Sequence, residues 1–214
     1  MEQNTDMIKE TNLFVFRFFN DLFSHSNFEN IKISINNIGN PHSFLYHIIF
    51  IFCIAIILIY RKRNHKKELE ELLTNGFSAT CIAILSLSLG MLAVDLIKNY
   101  TSSPRPYCIL ENVYTIKQTL TTTCYRSFPS GHTAFSIIMI ISFWPLLNKF
   151  FRYVALIFFF LLLISRMASG AHFPMDLLGA IAISLPITLY IRGKTNKIVR
   201  KYIDKYKIFK KLNS

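Results

Sequence analysis

Residues 76–97 read GFSATCIAILSLSLGMLAVDLI, a run in which Asp95 is the one charged side chain. The hydrocarbon core of a bilayer is about 30 Å thick, and a helix crosses it with roughly 17–25 apolar residues. The run meets that length. Lys98 follows directly, and the chain then turns through a short polar stretch to Arg105-Pro106. The span therefore delivers a cationic string, Lys98-x6-Arg105-Pro106, to a membrane surface.

Working outward, four more segments have the same character, at about 42–60, 130–147, 153–168 and 175–191. Hydrophobic residues make up 52% of the 214, and the mean hydropathy is +0.36. Such values are high for a soluble enzyme and ordinary for a polytopic membrane protein. The expected fold is all-α, a polytopic membrane helix bundle of five to six transmembrane helices. Residues 13–23 (LFVFRFFNDLF) are too short to span and are interrupted by Arg17, Asn20 and Asp21. They read as a helix lying in the interface, with a partly inserted sixth helix as the alternative. Residues 36–41 (NNIGNP) are loop chemistry. Three parts are expected: an interfacial, extracytoplasmic segment at 1–41, a transmembrane domain at 42–192 and a basic cytoplasmic tail at 193–214. The N-terminal MEQNTDMIKE shows no signal-peptide pattern.

The formal net charge is +12, and most of it falls beside apolar spans, at 61–67 (RKRNHKK) and from Arg192 to Lys211. Such blocks mark cytoplasmic flanks and meet anionic lipid. No nucleic-acid motif accompanies the charge, so nucleic acid is excluded as a partner. Lys149 and Arg152 follow the third span. All three basic loops fall on one side, which places the tail in the cytoplasm and the opposite loops outside it, in a plasma (inner) membrane. Cys53 and Cys81 sit inside apolar spans as small core residues, and no metal-ligand spacing is present. Cys108 and Cys124 share the loop after Arg105-Pro106. An oxidising compartment allows a disulfide between them, but the sequence does not reveal their separation, so both states stay open.

Two further strings lie on the extracytoplasmic side with Lys98 and Arg105. In Pro129-Ser130-Gly131-His132, proline suits the start of a helix. The Ser130 and Gly131 amides then fall among the free N–H groups of a helix N-terminus, a natural anion site, and His132 can donate a proton. In Ser165-Arg166-x5-His172-x3-Asp176, Gly170 can end one helix and Pro174 open the next. Asp176 can hold one imidazole nitrogen of His172 and leave the other free to attack. Arg166 offers a planar fork for phosphate. Asp95, one helical turn before Lys98, is a candidate partner for that lysine. Each string alone is equally explained by caps and snorkelling cations; their order, spacing and shared face carry the functional reading.

Together the strings resemble the type 2 phosphatidic acid phosphatase family, whose site is shared with vanadium haloperoxidases and glucose-6-phosphatase. Its pattern K-x6-RP, PSGH and SR-x5-H-x3-D is matched at every defined position over residues 98–176. The resemblance implies that His172 is a nucleophile forming a phosphohistidine and that Asp176 orients it. It also implies that His132 is the general acid and then the base. Lys98, Arg105, Ser130, Gly131 and Arg166 become the phosphate-binding set. No cofactor and no metal are implied. The expected substrate is a phosphorylated membrane lipid presented by the bilayer, and no protein partner is evident. An envelope lipid of the lipid A type is slightly favoured over phosphatidylglycerophosphate, phosphatidate or undecaprenyl diphosphate. A haloperoxidase is disfavoured by the apolar spans, and a non-catalytic lipid-binding or channel protein by the full set of site residues.

Overall fold

The computed structural model describes residues 2–24, 28–41, 56–57, 59–60, 64–120 and 122–212. Every regular element among them is helical, so the all-α class expected from the apolar spans is the class that forms. Six helices carry the architecture: α1 (Glu2–Leu22), α2 (Glu29–Ile38), α3 (Lys66–Thr101), α4 (Gly131–Phe143), α5 (Lys149–Ala168) and α6 (Pro174–Leu212). The loop between α3 and α4 holds two single helical turns, Pro106–Ile109 and Lys117–Leu120. Most of the expected first span, with Cys53, and the Arg61 to Arg63 part of the basic block lie outside the described residues.

Helices α3, α4 and α6 pack on one another as a central triplet. Val94, Ala134 and Ala180 meet inside it, with Met91 against them. Small side chains let the backbones approach: a Cβ on Gly90 would lie 2.8 Å from Ile138 Cδ1. Ser86, Ser142, Ser184 and Thr188 are buried in the same triplet, whereas Leu85, Leu89, Leu92 and Leu96 of α3 and Ile157 and Phe160 of α5 are exposed. Large apolar groups outside and small or polar ones inside suit a bundle whose solvent is lipid. Among the described residues, three stretches are long and apolar enough to cross a membrane: Lys66–Ile109, Lys149–Ala168 and Pro174–Val199.

The segment expected as the third span, 130–147, is shorter than its hydropathy suggests. Helix α4 has 13 residues, about 20 Å at 1.5 Å per residue. A 3₁₀ turn at Trp144–Leu146, built on Pro145, then ends it; proline has no N–H to continue the ladder. Conversely, α3 begins at Lys66 rather than near residue 76, because polar helix formers such as Lys67, Glu68 and Glu71 extend it beyond the apolar run. The tail is likewise continuous with the last span, since α6 runs unbroken to Leu212.

The N-terminal segment docks on the bundle. Helix α1 lies on α5 and α6, and α2 lies on α5. Phe16 packs on Met167 and Leu177, with its ring 5.3 Å from that of Phe173. Asn20 donates to the carbonyls of Tyr114, Met167 and Ala168 and accepts from the Tyr114 amide. Arg17 donates to the carbonyls of Glu111 and Asn112. Two of the polar residues that interrupt the apolar stretch at 13–23, Arg17 and Asn20, thus clamp this helix to the loops at one end of the bundle.

Candidate active site

The C-terminal ends of α3 and α5 and the N-terminal ends of α4 and α6 converge on that same end. They enclose a cavity of about 620 Å³ lined by Lys98, Arg105, Gly131, His132, Arg166 and His172, so residues from all three strings meet. Local chemistry produces the convergence. Helix α5 stops at Ala168, Gly170 takes φ +70°, and Pro174 opens α6. A Cβ at Gly170 would also lie 2.8 Å from Val113 Cγ1 and 2.9 Å from the Tyr114 carbonyl oxygen, so glycine is required there twice over.

His172 is 1% exposed. Its Nδ1 lies 3.3 Å from Asp176 Oδ2, and its Nε2 lies 3.4 Å from Arg105 Nη1. A guanidinium only donates, so Nε2 carries the lone pair and Nδ1 the proton. Asp176 is itself held, since Oδ2 accepts from Ser127 Oγ at 2.5 Å and from the Phe173 amide at 2.9 Å. Burial pushes the His172 imidazole well below its ordinary value of 6.5, and the charges of Arg166, Arg105, Lys98 and His132 push the same way. The result is a neutral imidazole with its basic nitrogen toward the cavity.

Around that nitrogen the cations are fixed by different means. Arg105 donates to the carbonyls of Thr123 and Ala171 at 2.9 and 3.0 Å and to that of Arg126 at 3.4 Å. Lys98 Nζ donates to the Arg126 carbonyl at 3.3 Å. Arg166 is 6% exposed, and its Nε is buried without a hydrogen-bond partner. Leaving a buried donor unmet costs about 1–3 kcal/mol, more when it is charged.

Two expectations are corrected. The Ser130 amide donates to the Asp176 carbonyl at 3.0 Å and is not free. The Ser130 hydroxyl accepts from the amide and hydroxyl of Thr133, and the residue is fully buried. Ser130 therefore caps α4 and ties it to α6, while Gly131 and His132 line the cavity. Asp95 pairs with Arg126 across the cavity rim and not with Lys98. An α-helical i,i+3 spacing allowed the Lys98 pairing, but the loop brings Arg126 closer.

The loop from 102 to 130 is closed by a disulfide between Cys108 and Cys124, with their Cα atoms 5.9 Å apart. The Arg105 amide donates to the Cys124 carbonyl, the Ser127 amide to the Ser103 carbonyl and the Tyr107 hydroxyl to the Thr122 carbonyl. Phe128 fills the notch left by Gly179, where a Cβ would collide with its ring. These ties hold Ser127 against Asp176. Sequence reasoning missed several residues that line or support the cavity, among them Asn36, Asn40, Arg126 and Ser127. Arg126 and Ser127 stand just before Pro129 in the sequence, a proximity that was a usable signal. Asn36 and Asn40 come from a stretch read as a connecting loop and carry no spacing that marks them.

Comparison with known proteins bears on the fold and the family. The chain resembles the crystal structure of Aquifex aeolicus LpxE with a TM-score of 0.65 at 22% identity, over 85% of this chain and 94% of that one, a likeness of fold. No curated protein matches the sequence. The profile of the PAP2 superfamily matches residues 79–199, more than half of the chain and all three strings. The chain belongs to the PAP2 superfamily.

Proposed function

We propose that this protein is an integral-membrane lipid phosphatase that hydrolyses a phosphomonoester or pyrophosphate of an envelope lipid through a phosphohistidine. The observation that carries the reading is the geometry of His172, its Nδ1 on Asp176 and its Nε2 beside Arg105, in a cavity also lined by Lys98, His132 and Arg166. In the first step Nε2 attacks phosphorus, the P–O bond to the lipid breaks, and His132 protonates the departing alkoxide. In the second, His132 removes a proton from water, which attacks phosphorus, and the P–N bond breaks to release phosphate. The three cations and the backbone at Gly131 stabilise the equatorial oxygens, the main electrostatic task in phosphoryl transfer. Those cations supply the charge that a metal ion supplies elsewhere, and the reaction is assigned as metal-independent.

The membrane side follows from charge. Lys66 and Lys149 start α3 and α5 at the end remote from the cavity, and Arg192 lies far along α6. The positive-inside rule then assigns that end to the cytoplasm of an inner membrane and the cavity to the extracytoplasmic face. A lipid can stay in the bilayer and present its phosphate there. The cavity accepts more than a phosphoryl group, which favours a sugar-bearing headgroup of the lipid A type over phosphatidate or undecaprenyl diphosphate. The test is to incubate the purified protein with a panel of phosphorylated envelope lipids, with and without EDTA, and to follow phosphate release and product masses. EDTA-resistant release from one lipid class is expected. No release from any lipid refutes the reading, and loss of release in EDTA refutes metal independence.

A further inference from the structure

Arg126 stands outside the three strings, yet it lines the cavity with Lys98, Arg105 and Arg166. Its backbone and its side chain are engaged on different sides. The carbonyl accepts from Lys98 Nζ at 3.3 Å and from Arg105 Nη2 at 3.4 Å, which sets it beside two of the phosphate-site cations. The guanidinium turns to α3, where Nη2 pairs with Asp95 Oδ1. Asp95 Oδ2 in turn accepts from Asn99 Nδ2 at 3.5 Å.

Position separates this cation from the others. Asp95 lies about 4.5 Å deeper along α3 than Lys98, on the face that carries the exposed Leu92 and Leu96. In the orientation proposed above, that face meets lipid. The pair is open, with side-chain exposures of 40% at Arg126 and 57% at Asp95, whereas Arg105 and Arg166 are buried. An ionisable residue at membrane depth marks a functional site by default, and a carboxylate on the wall of an anion cavity repels the anion unless its charge is met. Exposed ion pairs contribute little to stability, so a phosphate can replace Asp95 on the guanidinium at small cost. The planar fork of arginine suits that exchange, because it bonds phosphate through two N–H groups at once.

The cavity, of about 620 Å³, has room for a headgroup beyond the phosphoryl group at His172. We infer that Arg126 is a specificity-determining residue at the lipid-facing rim, which exchanges Asp95 for a second phosphate on the substrate's headgroup. The protein then prefers lipids that carry two phosphate groups to lipids that carry one. The inference rests on the phosphatase reading above.

The experiment uses the full chain in lipid nanodiscs and two matched pairs of substrates. One pair is a lipid A-type disaccharide lipid with two phosphates or one, and the other is a polyprenyl lipid with a diphosphate or a monophosphate. Wild type is expected to prefer the two-phosphate member of at least one pair, and that pair tells whether the second phosphate is separate from the scissile one or joined to it. In that pair Arg126→Gln, which keeps the carbonyl that holds Lys98 and Arg105, is expected to lower kcat/KM on the two-phosphate lipid about tenfold. The loss falls mainly on KM, and the one-phosphate lipid stays within threefold. Arg126→Lys keeps the charge without the fork and carries the same test if the glutamine variant does not fold, with a loss of about threefold on the two-phosphate lipid alone. Asp95→Asn removes the competing carboxylate and is expected to lower KM for the two-phosphate lipid. A salt bridge that only holds the loop predicts instead that the Arg126 and Asp95 variants lose alike on both members. That result, a wild type without preference in either pair, an Arg126 variant that keeps the preference, or an Asp95→Asn KM that is unchanged or raised overturns the inference. A wild-type protein inactive on all four lipids overturns the phosphatase reading instead.

Discussion

His172, in the turn before α6, and Asp176, in the first turn of that helix, face each other, Nδ1 to Oδ2 at 3.3 Å, with both side chains almost fully buried. The pair does two things in the proposed mechanism: it sets the tautomer and it stabilises the imidazolium character that develops as Nε2 attacks. Asp176→Asn keeps the shape and removes the charge. We predict a fall in kcat of about 10²–10⁴-fold with substrate binding largely retained, measured as phosphate release. A variant within threefold of wild type contradicts the orienting role.

The pH dependence follows from the depressed titration of His172. In the folded protein this imidazole binds its proton only well below 6.5, whereas in the unfolded chain it protonates near 6.5. Its contribution to stability is therefore intact above 6.5 and is lost as pH falls from there toward the folded value. For the free enzyme, the nucleophile stays competent through the same window. A titration of ring-labelled histidines by NMR is expected to show His172 still neutral at pH 6. Half-protonation of this ring at 6.5 contradicts the electrostatic account.

Gly131 tests the phosphate cradle separately from folding. A Cβ there meets Met91 Cε at 3.8 Å and Lys98 Nζ at 3.9 Å, ordinary contact distances, so the methyl group fits the cavity. In the proposed mechanism it does so in the space through which a phosphate oxygen approaches the helix N-terminus. Gly131→Ala is expected to keep its thermal midpoint and to lose at least tenfold in kcat/KM. Unchanged kinetics contradict the placement of the phosphate.

Reduction of Cys108–Cys124 tests the loop. The bond spans 16 residues, and closing a loop of that size constrains the unfolded chain by about 3 kcal/mol in the entropic account. Its release also loosens the Thr123 carbonyl that fixes Arg105. The Cys108→Ser, Cys124→Ser double variant is expected to melt lower and to lose activity. Thermal scans and phosphate release check both, and a variant equal to wild type in each shows that the other loop ties suffice.

Much of this site was legible in the sequence because its residues are tied to helix ends. A helix end has local signals, such as Pro129 before α4, Gly170 after α5 and Pro174 before α6, and the three strings carry those signals with their chemistry. Hydropathy was a poorer guide to helix length. It reports which residues tolerate lipid, so it started α3 ten residues late and overran α4 at Pro145. The part that escaped was tertiary. Asp95 had a reachable lysine on its own helix, yet its partner came from a loop. Ser130 stood at a helix N-terminus, where its amide is expected to be free, yet α6 supplied a carbonyl to it. Asn36 reaches the cavity because α2 packs on α5, a tertiary contact that no local pattern announces.

The central claim is that His172 carries the phosphoryl group between lipid and water. The most direct measurement is to mix the protein with a lipid labelled in its phosphate, quench in alkali within the first turnover, and map the label by peptide mass spectrometry. The account predicts a phosphoryl group on His172, absent from the His172→Ala variant, which also releases no phosphate. Turnover with the label on another residue, or a His172→Ala variant that still turns over at a near-normal rate, contradicts it.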